Sequence, residues 1–260
     1  MRDKFGTNLA RMLGEKIQAI DPSFSPAAFL CSFDRQEGPG GWAGQIAETL
    51  AMHLPPRYPD ALNILLQILG PEHPAEQAIP NQGHKLAPVA RFVAHYGLDH
   101  FTESMQALAE IAKRSHAAQV ALREFIVHDL QRTYAQLQTW THSPNAHIRR
   151  LVSDATRPRL RLILMPGVTK LEAFIADPEP LLDLLENLRD DPSPMVRKSV
   201  AGNLSDILKY HPDPAYQRLA RWQPDAGKER RQIIRGALKY SLQKGDSRAL
   251  ALADKSTTTQ

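Results

Sequence analysis

A single cysteine, Cys31, stands in 260 residues, so the chain forms no internal disulfide and offers no thiolate cluster for zinc. Long apolar runs are also missing. Stretches such as ALNILLQILG stop far short of the roughly eighteen residues that cross a bilayer, and MRDKFGTNLARM lacks a signal-peptide core. No membrane association is expected, and the cytoplasm is the expected location. The ten histidines are scattered without metal-ligand pairs at helical spacing. Neither a G-x-S-x-G elbow nor a glycine-rich nucleotide loop occurs, so no metal and no cofactor is expected. No segment alternates apolar and polar residues convincingly, as a half-buried strand does.

What is present is helical periodicity. Leu, Ile, Val and Ala recur at three- and four-residue spacings in LARMLGEKIQAI, ESMQALAEIAKR and LLDLLENL, and at 42% hydrophobic the chain can bury a substantial core. Clusters of Pro, Gly and Asp punctuate these runs, as in LPPRYPD, GPEHPAEQAIPNQG, DPSP, HPDP and QPDAG. The second half repeats itself. TYAQLQTW-THSPNAHIRRLV, LLDLLENL-RDDPSPMVRKSV and AYQRLARW-QPDAGKERRQII share one helix, turn, helix template. Trp140, Leu188 and Trp222 fall at one position of it, Arg149, Arg197 and Arg231 at another. Such a repeat predicts an all-α fold, a HEAT-like α-solenoid of stacked antiparallel helix pairs. Residues 1–254 read as a single repeat domain, clearest over 130–250, with 255–260 as a disordered tail and an insertion around LILMPGVTK. The two tryptophans occupy an apolar template position, which favours core packing over base stacking.

A net charge of +4 hides a strong asymmetry. Residues 149–170 carry +5 and residues 197–248 carry +7, which leaves −8 for the rest of the chain. In RRLVSDATRPRLRL, five arginines surround one acid, Asp154. That distribution suits a basic face directed at a polyanion, with two arginine-rich solvated helices as the plain alternative. Because the template arginine recurs at the start of each second helix, stacking is expected to line those arginines into a track.

Longer strings carry a family resemblance. HLPPRYPDALNILLQILGP, FVAHYGLDHFTESMQAL, NAHIRRLVSDATRPRL, DDPSPMVRKSVAGNLSDILKYHPD and ALKYSLQKGDSRAL, in this order, resemble the AlkC branch of the HEAT-like DNA alkylation repair glycosylases. The resemblance implies a superhelix whose concave basic groove cradles duplex DNA containing alkylated bases, in a protein expected to be a monomer of the bacterial cytoplasm. It implies hydrolysis of the N-glycosidic bond of cationic bases of the 3-methyladenine or 3-methylcytosine type.

It also implies site residues. Asp154 matches a position where the family is expected to carry a glutamate, Asp206 matches a family aspartate, and the two are the expected catalytic carboxylates. Each has a plain alternative: Asp154 pairs with Arg150 or Arg157, and Asp206 with Lys209 or Arg235. Gln119 and Leu162 are expected to border the lesion pocket, and both depart from the family pattern. Gln119 stands where an acid is expected and carries no charge. Leu162 stands where a tryptophan is expected and offers no cation–π contact. Arg149, Arg150, Arg157, Arg159, Lys198 and Arg231 are the expected phosphate ligands. The two departures keep open a DNA-binding or sensor protein without catalysis. The wide use of solenoids as scaffolds keeps open an acidic protein partner.

Overall fold

The computed structural model describes residues 2–33, 41–74, 77, 81–160 and 170–255. Their regular elements are helices, joined by one isolated bridge between Arg159 and Lys170. None of these helices is long and apolar enough to cross a membrane. Contacts gather the chain into two compact units, divided after Asp129.

The first unit holds α1 (Arg2–Ile20), α2 (Pro26–Ser32), α3 (Gly41–His53), α4 (Tyr58–Gln67), α5 (Ala87–Tyr96), α6 (Phe101–Ala112) and α7 (Ala117–His128). Helix α2 starts where sequence chemistry says it must. Ser25 caps it by accepting the Ala28 N–H at 3.3 Å, and Pro26 fills the first turn, where a missing N–H costs nothing. Helix α5 packs between α3 and α7. Ile46, Leu50, Val89, Val93 and Leu122 supply fully buried apolar contacts there. The chain leaves α5 at Gly97, where a Cβ would lie 2.3 Å from both Ser104 Oγ and Tyr58 OH, so only glycine fits. Ser104 Oγ donates to the Gly97 carbonyl at 2.8 Å and accepts from the Tyr58 hydroxyl at 2.7 Å. Burial pushes the Tyr58 phenol up to about 12, with the Ser104 bond opposing and Glu103 adding to the rise.

The second unit holds α8 (Leu130–Trp140), α9 (Ala146–Ala155), α10 (Glu172–Ala176), α11 (Glu179–Glu186), α12 (Pro194–Tyr210), α13 (Pro212–Trp222), α14 (Lys228–Gln243) and α15 (Ser247–Lys255). The pairs α8/α9, α11/α12 and α13/α14 are the three template repeats. Helix α10 lies between the first two, just after the LILMPGVTK stretch where an insertion was expected; residues 162–169 of that stretch lie outside the described residues. The second helices α9, α12 and α14 lie side by side and parallel. Their cross-contacts advance together, from Arg150 to Met195, Asp154 to Ser199 and Arg157 to Asp206, then from Arg197 to Gln232. The approach of α12 to α14 is close, since a Cβ on Gly236 would stand 2.8 Å from that of Ala201. Trp140, Leu188 and Trp222 are all buried, so the template position is a core position.

Candidate functional site

The repeated arginine has a repeated job. Arg149 donates through one nitrogen to the carbonyls of Ser143 and Pro144, at 2.8 and 3.2 Å. Arg197 does the same to Asp191 and Pro192 at 2.9 and 2.6 Å, and Arg231 reaches the Ala226 carbonyl at 2.6 Å. Each guanidinium thus folds back over the turn between its two helices and satisfies carbonyls that helical geometry leaves without partners. Arg149 also grips Asp191 of the next repeat bidentately, at 2.6 and 3.0 Å. Asp191 in turn accepts the Ser193 N–H at 2.9 Å, which sets the start of α12. The sequence expectation that Arg149 lines a track for phosphate therefore meets a correction, because its guanidinium is a clasp on its own turn and on Asp191; Arg231 makes one such bond and stays part-exposed.

Both candidate carboxylates lie on the seam between α9 and α12. Asp154 Oδ1 accepts from Ser199 Oγ at 2.5 Å, and its Oδ2 lies 3.4 Å from Arg150 Nε. The Asp154 side chain keeps 18% of its surface open, whereas that of Arg150 keeps 5%. Burial draws the Arg150 guanidinium below its ordinary range, and the Asp154 carboxylate counters that pull. Arg150 sends a second nitrogen to Met195 Sδ at 3.2 Å, so it is a buried counter-charge beneath Asp154 and not a surface ligand for phosphate. Asn203 donates to the Ser153 carbonyl at 2.8 Å and to Thr156 Oγ1 at 3.3 Å, which pins the end of α9 to α12.

Asp206 is more heavily engaged. Its Oδ2 accepts from Arg157 Nε at 2.8 Å and lies 2.5 Å from a second Arg157 nitrogen, while Oδ1 accepts from Lys209 at 2.8 Å. Ser199 and Asp206 are seven residues apart on α12, about 10 Å along its axis at the usual helical rise. The two carboxylates therefore sit at different heights on one seam, Asp154 at the level of Ser199 and Asp206 about two turns further along α12.

The remaining expected residues divide. Arg157 is part-exposed on Asp206, Arg159 is exposed and its guanidinium carbon lies 5.1 Å from the centre of the Tyr210 ring, and Lys198 is exposed. Gln119 lies in the first unit, on the first turn of α7, part-exposed. Leu162 lies outside the described residues. Ser199, Asn203 and Tyr210 escaped the sequence reading. No spacing signal marks them, because each meets its partner 45 or more residues away. Among the described residues, no group of three or more His, Cys, Asp or Glu is placed to hold a metal ion.

Comparison with known proteins bears on the fold and the family. The chain is 32% identical over 256 residues to YhaZ of Bacillus subtilis (strain 168), an alignment that takes in 97% of this chain and 67% of that protein. Its fold superposes with a TM-score of 0.81 on the alkylpurine DNA glycosylase AlkC of Pseudomonas fluorescens, solved bound to DNA containing an abasic site analog. That likeness has 31% sequence identity and covers 96% of this chain and 67% of AlkC. Residues 88–242 match the profile of the DNA alkylation repair enzymes. With helix pairs stacked in a HEAT-like all-α solenoid, a family profile matched over more than half of the chain and a relative 32% identical over 97% of it, this chain belongs to the DNA alkylation repair enzyme family.

Proposed function

We propose that this protein is a DNA glycosylase. It hydrolyses the N-glycosidic bond of cationic alkylated bases, of the 3-methyladenine or 3-methylcytosine type, in duplex DNA, as a monomer in the bacterial cytoplasm. The observation that carries the reading is Asp154, a part-open carboxylate braced from below by Arg150 and from the side by Ser199, beside the exposed or part-exposed cations Arg157, Arg159 and Lys198.

The chemistry asks for little else. Alkylation places positive charge on the base, so the bond to C1′ breaks with its electron pair moving to the ring nitrogen, and the base leaves neutral. Positive charge then develops on the sugar. A carboxylate near C1′ opposes that charge and orients the water whose oxygen forms the new bond, and the proton of that water passes to the carboxylate or to solvent. Asp154 takes this role. Ser199 restrains one oxygen and Arg150 faces the other, while the side chain keeps 18% of its surface open. Asp206, with both oxygens held by Arg157 and Lys209, is a positioning residue that sets those cations against the phosphates flanking the lesion.

Release of free methylated base from methylated duplex DNA tests the reading. Asp154→Asn is expected to lower the single-turnover rate about 100-fold with binding little changed, in line with the loss of one preorganised electrostatic contact. Asp206→Asn is expected to raise KM several-fold and leave kcat within a few-fold. A parent protein that binds the duplex and releases no base would establish the second reading, recognition without excision, which the uncharged Gln119 favours.

A further inference from the structure

Two exposed tyrosines of the second unit stand among cations. Tyr210, the last residue of α12, is 37% exposed and has Arg159 over its ring. Tyr240 on α14 is 50% exposed, with Lys209 at 5.8 Å and Lys244 at 5.7 Å from its ring centre. Two cation–phenol clusters result, Arg159 on Tyr210 and Lys209 with Lys244 on Tyr240; they adjoin at the end of α12, where Lys209 and Tyr210 are consecutive residues, and together form a ladder of cations and phenols. Lys209 meets Asp206, but Arg159 and Lys244 meet no carboxylate among the described residues. Cations at helix C-termini offset the negative end of the helix dipole, which accounts for Lys209 and Lys244. It does not account for Arg159, which comes from the extended segment after α9 and covers Tyr210 from outside the helix.

We propose that this ladder is a strand-holding surface for DNA beyond the Asp154 seam, where cations and phenol hydroxyls donate to successive phosphates. Alternating positive charge and exposed aromatic groups complement a polyanionic strand in both charge and hydrogen-bond sense. Parallel helices pack about 8–10 Å apart, and a strand advances about 3.4 Å per nucleotide along a duplex, so the step from α12 to α14 covers about three nucleotides. The inference rests on the reading that the protein binds DNA, and it holds whether or not a base is excised.

Salt-dependent binding of the full chain to lesion-free duplexes of a shorter and a longer length tests it. The double variant Arg159→Gln/Lys244→Gln is expected to flatten the slope of log affinity against log salt by about 2, near 0.9 for each lost phosphate contact. It is also expected to lose the affinity that the parent gains from the longer duplex. Tyr210→Phe/Tyr240→Phe is expected to weaken binding several-fold with the slope kept, and Arg221→Gln on α13 to change nothing. An unchanged slope in a double variant that melts like the parent would overturn the proposal and leave the cations as dipole partners. If the double variant does not fold, the single variants carry the test at about 1 each. Base release by the same proteins separates the two readings: a ladder-dependent slope without release sinks the glycosylase and keeps the ladder, and release with an unchanged slope does the reverse.

Discussion

The two units answer one packing problem with different interiors. Among the described residues, the first unit buries five polar or charged side chains, Gln45, Thr49, Ser104, Ser115 and Arg123, within an otherwise apolar stack. The second buries thirteen, including Arg150, Arg197, Arg218, Asp191 and Asp206. Arg218 shows the style of the second unit: it meets Glu179, Asp183 and Glu186 of α11, at 3.0, 2.9 and 3.2 Å. Trp222 donates to the same Glu186 at 2.6 Å. An apolar interior adds stability and asks only for fit. Buried ion pairs add little net stability, but they hold particular atoms in particular places and make single losses costly. The candidate chemistry sits in the unit built that way, because a carboxylate must be kept part-open and correctly turned.

The sharpest way to break this comparison is Arg149→Ala. Its partner Asp191 keeps only 2% of its side-chain surface open, and the substitution strands that charge together with the Ser143 and Pro144 carbonyls. A loss of about 3–5 kcal/mol in urea unfolding is expected, with the salt slope of DNA binding kept in whatever remains folded. Parent-like stability with a slope reduced by about 1 would return Arg149 to the phosphate ligands.

A smaller effect belongs to the first unit and to alkaline pH. The folded chain holds the Tyr58 proton up to about 12, against an ordinary value of 10.0, so the unfolded chain loses its proton first as pH rises. The stabilisation is whole below pH 10 and is lost between about pH 10 and 12, on the order of 2–3 kcal/mol. Tyr58→Phe is expected to flatten that limb while costing about 1 kcal/mol at neutral pH for the bond to Ser104. An unaltered alkaline limb in the variant would assign the loss elsewhere.

The smallest expected change is Lys198→Gln, an exposed cation on the face of α12. The salt slope should fall by about 0.9 with no shift in melting temperature, and a shift in melting without a change in slope would mark Lys198 as structural.

Much of the second unit is legible in the sequence. Helix, turn, helix units with a core residue and an arginine at fixed offsets are local patterns, and local patterns survive folding. The meaning of the arginine was not legible. A guanidinium that recurs once per repeat looks the same in sequence whether it points to solvent or folds back over its own turn, and only the turn carbonyls decide. The choice of partner for Asp154 shows the same limit. Arg150 lies one helical turn away and was a foreseeable neighbour, whereas Ser199 lies 45 residues on and becomes a neighbour only when α12 stacks on α9.

Periodicity, proline-marked turns, the uneven spread of charge and the family strings were enough, unaided, to specify a helical repeat protein with a basic second half. Tertiary structure alone decided which cations face outward, which are spent inside, and that Asp154 is the more open of the two seam carboxylates. The reason is physical: helix formation depends on neighbours within a turn or two, while the pairing and desolvation of a charge depend on atoms a few ångströms away in space, wherever in the chain they originate.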